Sequence, residues 1–206
     1  FVRLLGSGSS YFEACEEAID SARQFIHFQT YIVDNDETGQ KFVAALKRAS
    51  ERGIRVYFLL DAYGGRSFPE NLEEEIEKAG IFFRRFSPVM ISRDFKLSLR
   101  LHHKVLLVDG EHAIIGGMNV ANRYHGKQDM KEWLDFAVSV KGPECVHILF
   151  ILKRLWNKAF LKRNERSREM VHNPVYHKDN VRIKVLQNNW YRNKIEILKS
   201  YRSALK

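Results

Sequence analysis

The sequence predicts an α/β fold, a mixed and mostly parallel sheet flanked by helices on both faces, and three observations lead there. Phe25–Val33, Ile54–Leu60 and Val105–Val108 are short segments rich in β-branched and aromatic residues and read as strands. The last two are nearly or wholly apolar, the pattern of strands buried on both faces. Between the first two lies Thr38–Arg52, whose apolar residues recur at helical spacing ahead of a Gly53 stop. Strand, helix and strand joined by short connections imply parallel neighbours under a crossover helix.

Taken in order, Val2–Leu5 is a short strand and Gly6-Ser7-Gly8 a turn. Ser10 and Glu13 make a capping box for a helix with an apolar stripe at positions 11, 12, 15, 18, 19 and 22. Along Phe25–Val33, alternation sends His27, Gln29 and Tyr31 to one face, where they are expected to look toward a site. Asp61-Ala62-Tyr63-Gly64-Gly65 follows the carboxyl end of its strand, where open α/β sheets place ligands, and a plain glycine turn fits the same letters equally well. Pro69–Ala79 is a helix stopped by Gly80, and Ile81–Phe86 a strand. Residues 87–100 mix apolar with basic side chains, suited to acyl chains and headgroups or, with somewhat greater weight, to folding back on their own core. Asp109-Gly110 has hairpin-turn composition and leads into a strand Glu111–Gly116. Asn119–Met130 is a polar loop, Leu134–Val140 a strand and Pro143–Phe160 a helix, after which the chain becomes basic and aperiodic, as a linker does.

A chain of 206 residues, 45% hydrophobic, can bury one substantial core and is no disordered segment. Its net charge of +9 attracts anions, phospholipid headgroups or nucleic acid, without choosing between them. The two cysteines, Cys15 and Cys145, are too few for a disulfide framework and read as buried thiols. The apolar run Ile148–Leu152 is much too short to cross a bilayer.

The chemistry concentrates in Leu101–Asn119, where His102, Lys104 and Asp109 stand in a His-x-Lys-x4-Asp spacing closed by Gly116-Gly117-Met118-Asn119. Alternation aims His102 and Lys104 the same way and His103 the other. An imidazole beside an ammonium at the head of a buried strand calls for an anion, and phosphate is the obvious one. A metal site built from His102, His103, His112, His125 and Asp109 ranks well below, because the first two point apart. The hairpin composition at Asp109 favours a structural over a chemical role for it.

This spacing with its Gly-Gly-x-Asn ending resembles the signature of the phospholipase D superfamily and is most similar to its bacterial cardiolipin synthase branch. The resemblance implies an enzyme in which two such motifs face each other across a pseudo-twofold axis. One histidine attacks phosphorus to give a phosphohistidine, and the other protonates the leaving alcohol. It assigns His102 as nucleophile, with general acid as the alternative. Lys104 and Asn119 would hold phosphoryl oxygens, Asp135 would orient the imidazole, and Asp109 completes the catalytic set. Gly116, Gly117, Tyr31 and Asp61 are expected against the substrate, Gly117 standing where many relatives carry serine. No metal and no organic cofactor is implied.

A second copy of the pattern begins near the end. Shifting the start of the chain lays Val2-Arg3-Leu4 on Val181-Arg182-Ile183 and Ser9-Ser10-Tyr11-Phe12 on Asn188-Asn189-Trp190-Tyr191. The expected organisation is therefore a first phospholipase D-like lobe over 1–160, a linker over 161–180 and the truncated start of a second lobe over 181–206, an N-terminal half that is inactive alone. The expected partners are an anionic phospholipid resembling phosphatidylglycerol, an alcohol acceptor, a membrane surface on its cytoplasmic face, and the second lobe or a second subunit. The alternatives are a nuclease or phosphodiesterase completed by homodimerisation, with nucleic acid ranked below lipid, and a lobe that binds anionic lipid without turnover.

Overall fold

The computed structural model describes residues 1–86, 100–126, 131–158, 166–170, 181, 183–188 and 195–205. Strands β1 (Val2–Leu5), β2 (Phe25–Thr30), β3 (Arg55–Asp61), β4 (Phe82–Phe86), β5 (Val105–Val108), β6 (His112–Gly116) and β7 (Ala137–Lys141) form one sheet in the order β1-β7-β6-β5-β2-β3-β4. The expected mixed α/β sheet is present, but its balance is the reverse of the expectation. Only β2-β3-β4 is parallel, and the pairings from β1 through β7, β6 and β5 to β2 are antiparallel. For β5 and β6 the cause is connection length: they are joined by a tight turn at Asp109-Gly110 (φ 53° and 70°), and so short a link permits only antiparallel pairing.

Helices cover both faces. Against Ile26, Phe28, Val56, Phe58, Leu106 and Val108 lie α1 (Gly8–Asp20) and α2 (Glu37–Glu51). The opposite face, with Phe25, Tyr57, Leu59, Val105 and Leu107, is covered by α5 (Cys145–Lys158), which buries Ile148, Leu149, Leu152 and Trp156. At about 25 cal/mol per Å2 of apolar surface, side chains of this size contribute roughly 1.5–3 kcal/mol each when fully buried. The shorter α3 (Glu70–Lys78) precedes β4, and α4 (Asn122–His125) falls within the expected polar loop. Cys15 and Cys145 are buried free thiols. Among the described residues no helix is long and apolar enough to cross a membrane.

Several boundaries differ from expectation. The α1 cap is Ser7, whose side chain accepts from the Ser10 backbone, so Ser10 is the third helical residue of a Ser7–Ser10 box and Glu13 has no part in it. Strand β2 stops at Thr30, and Val33 makes only an isolated bridge to Val120. Strand β7 starts at Ala137 rather than Leu134, which is 82% exposed. Part of the expected linker is docked. Ser167 and Glu169 are buried, the first on His27 Nε2 (3.0 Å), the second accepting from Tyr57 Oη (2.8 Å) and pairing with Arg55 (2.9 Å). A polar sequence read as solvated thus carries the hydrogen bonds that satisfy polar groups on the sheet. Helix α6 (Glu196–Ala204) begins later than the offset from α1 places it, and Val181 and residues 183–188 form no strand. Residues 87–99, the bulk of the mixed apolar and basic segment, lie outside the described residues.

Candidate active site

Five chain segments meet at one edge of the sheet. Tyr31 follows β2, Asp61 ends β3, His102–Lys104 lead into β5, Gly116-Gly117 end β6, and Asp135 precedes β7. The antiparallel register brings them together, because Gln29 pairs with Val105, Val105 with Ile115, and Gly116 with Ala137. Asp109 lies at the other end of β5, a strand length away, roughly 15 Å at about 3.3 Å per residue.

The Tyr31 ring is the platform of the site. His102 stacks on it with centroids 4.9 Å apart and planes at 15°, and Lys104 Nζ stands 5.5 Å from the ring centroid. Lys104 Nζ also donates to the His102 carbonyl at 3.2 Å. His102 is exposed while His103 turns inward toward Gln29, as alternation predicts, and both border a cleft of about 440 Å3. There His103 Nδ1 lies 3.1 Å from Gln29 Oε1, and Gln29 Nε2 donates to the Leu152 carbonyl at 2.9 Å. With the amide committed in that sense, His103 Nδ1 is the donor. Burial, with the Lys104 charge adding to it, pulls the His103 pKa to about 4. His27 and Gln29 share a face as expected, but it is the α5 side, so both are buried supports and only Tyr31 reaches the site.

Lys104 is half-buried, and desolvation lowers its pKa while the negative charge of Asp135 works in the other direction. The Asp135 carboxylate accepts from the Phe136 N–H at 2.7 Å, and no hydrogen bond to His102 is among its contacts. Its oxygens fill the space over Gly117, where a Cβ would come within 2.2 Å and 2.5 Å of them. At Gly116 a Cβ would meet the Ala137 Cβ at 2.5 Å. Both glycines thus permit close approach of β6 to the β7 side.

Three expected site residues are engaged with backbone instead. Asp109 accepts from the N–H groups of Arg23, Gln24 and Phe25, each at 2.9 Å, which ties the β5–β6 turn to the start of β2. This distance and these partners give Asp109 a structural role in place of the expected catalytic one. Asp61 is fully buried, with Oδ1 accepting from Tyr63 and Gly64 N–H (2.9 Å each) and Oδ2 from Leu101 N–H (2.7 Å). It anchors the residue before His102 rather than facing a ligand. Asn119 accepts from Ile32 N–H at 3.2 Å and donates to Tyr124 Oη at 2.9 Å, so its amide is engaged in holding the loop after β2. His112 pairs with Ser139 and His125 with Thr38, and the structure does not assemble the four histidines.

Comparison with known proteins gives a consistent picture. A family model described as "Cardiolipin synthase, PLD-like domain" matches residues 15–149. Cardiolipin synthase A of Pseudomonas aeruginosa is 38% identical over 145 residues, 69% of this chain and 29% of that protein. Cardiolipin synthase B of Salmonella typhi is 33% identical over 150 residues, 72% of this chain and 36% of that one. The chain therefore spans about a third of the length of these relatives. In fold it is similar to the phospholipase D family member Nuc from Salmonella typhimurium (TM-score 0.59, 21% identity, 80% of this chain and 99% of that one). It is likewise similar to phosphatidylserine synthase from Haemophilus influenzae (TM-score 0.59, 20% identity, 75% and 36%).

Proposed function

Because this chain belongs to the cardiolipin synthase-type phospholipase D-like domain family, we propose that it is one lobe of a phosphatidyltransferase acting on anionic phospholipid at a membrane surface. The observation that carries the reading is the shared platform, with His102 and Lys104 brought to the one Tyr31 ring. An imidazole held flat against a ring keeps an edge nitrogen free for attack, and an ammonium beside it binds the anion attacked.

In the proposed reaction a neutral His102 nitrogen forms a bond to phosphorus. The bond from phosphorus to the leaving alcohol breaks, and that alcohol takes its proton from a histidine of the opposing lobe or of a second subunit. The acceptor alcohol then attacks the phosphohistidine, gives its proton to that same partner histidine, and regenerates His102. Lys104 offsets phosphoryl charge in both steps, and the nearby Asp135 charge favours its protonated form. Phosphatidylglycerol suits the donor role, and the basic chain suits peripheral attachment to the anionic cytoplasmic face of a membrane.

The test is His102→Ala in the full-length protein with phosphatidylglycerol vesicles labelled in the acyl chain and chelator present. The expected result is transfer and a protein-bound phosphatidyl label in the parent and neither in the variant; transfer that persists in the variant refutes the reading. A second reading, a phosphodiesterase completed by homodimerisation, is supported by the fact that a lobe of this size accounts for 99% of the Nuc chain. Cleavage of single-stranded DNA in place of lipid transfer would select it.

A further inference from the structure

Beside the site stands a group of cations that the proposed reaction does not use. Arg66 and Arg100 both lean on the Tyr63 ring, with guanidinium carbons 4.9 Å and 4.8 Å from its centroid. Arg100 Nη1 is buried and has no hydrogen-bond partner among the described residues. Neither guanidinium has an acidic partner among the described residues, although nearby Arg85 is paired with Glu73 and Arg123 with Asp34. Two like charges on one ring, one of them with a buried nitrogen that lacks an acceptor, are an unfavourable arrangement that a bound anion relieves. The turn that carries Tyr63 is tied by the Asp61 carboxylate to Leu101, the residue between Arg100 and His102.

We propose that Arg66, Arg100 and Tyr63 form a second anion subsite, which takes the phosphodiester of the acceptor phospholipid while the donor phosphate is at His102 and Lys104. The proposal rests on the function proposed above and adds the charge of the acceptor to it. Arg100 and His102 also line the 440 Å3 cleft, whose further walls are mostly aliphatic, including Ile148, Ile151, Leu152 and Val185, with His103, Gln187 and Asn188 as its other polar lining. Aliphatic walls fit an acyl chain or glycerol backbone, whereas a nucleic-acid strand would be served by aromatic faces for its bases. A bidentate guanidinium suits a phosphodiester, and a neutral acceptor alcohol would gain nothing from it.

The full-length protein is given phosphatidylglycerol vesicles as donor and, in competition, three acceptors: phosphatidylglycerol itself, glycerol 3-phosphate and ethanol. The donor is common, so the product ratio reports the acceptor alone. Arg66→Gln and Arg100→Gln are expected to lower the ratio of cardiolipin to phosphatidylethanol by about tenfold each, the loss of one charge-assisted hydrogen bond. Arg100→Lys, which keeps the charge, should recover part of it. Because Arg66 is exposed, its variant separates recognition from misfolding. An unchanged ratio, or an equal fall of both products, overturns the subsite. Glycerol 3-phosphate used as well as phosphatidylglycerol overturns its assignment to a lipid. DNA cleavage that falls in these variants transfers the site to nucleic acid and overturns the proposal. A wild-type protein that makes neither phospholipid product overturns the proposed function, and the subsite with it.

Discussion

Acidification from pH 6.5 to 5 should destabilise the fold by about 3 kcal/mol through two histidines. His27 is fully buried, stacked on Tyr57 at 4.6 Å, and its pKa is drawn to about 3, first by burial and then by the Lys153 charge. His103 is drawn to about 4 by burial and Lys104. In the unfolded chain both titrate near ~6.5. Between the unfolded and folded values the unfolded chain binds protons that the folded chain refuses, so stability falls as pH falls and is nearly insensitive to these groups above about 7.5. Each group contributes at most about 1.4 kcal/mol per pH unit and about half of that near pH 6.5, hence about 1.6 kcal/mol each over this interval. That is a large part of a typical total of roughly 5–15 kcal/mol. Denaturant unfolding at pH 7, 6.5, 6 and 5 measures it, and His27→Phe, which keeps a ring against Tyr57, should remove about half of the loss. A pH-independent midpoint over this range, or an undiminished pH slope in His27→Phe, would refute the assignment.

Three further outcomes follow from the site. Tyr31→Leu removes the ring under both His102 and Lys104 and should lower transfer roughly tenfold, from stacking and cation–π terms of about 0.5–1.5 kcal/mol each, whereas Tyr31→Phe should retain most of it. Steady-state rates of the pair decide this, and equal rates would remove the platform from the mechanism. Gly117→Ala forces the Asp135 carboxylate aside, which weakens its support of the Lys104 charge, so the alkaline limb of the rate profile should move to lower pH. Asp109→Ala strips the acceptors from three backbone N–H groups and should cost about 1–3 kcal/mol of stability, read as a lower denaturation midpoint, with the rate per folded molecule preserved.

Where periodicity and turn chemistry act locally, the sequence was readable. The glycine stops at Gly53 and Gly80 (φ +84° at both), the apolar strand Val105–Val108 and the opposed directions of His102 and His103 all have local causes. What escaped was decided by distant partners. The polarity of the sheet depends on which strands the short β5–β6 connection forces side by side, and apolar letters carry no direction. Asp61, Asp109 and Asn119 are acceptors suited to phosphate chemistry, yet each meets backbone N–H groups from segments remote in the chain. The same holds for Ser167 and Glu169, polar residues in an aperiodic stretch that find Tyr57 and His27 on the sheet. Tyr31 was expected at the site from alternation, but its stacking with His102 depends on β2 ending at Thr30.

The Asp61 carboxylate joins the end of β3 directly to Leu101, while the Ala62 N–H donates to the Phe86 carbonyl at 3.0 Å. The chain is thus moored on either side of residues 87–99, and the reactive pair follows directly from a backbone N–H held by a carboxylate forty residues upstream.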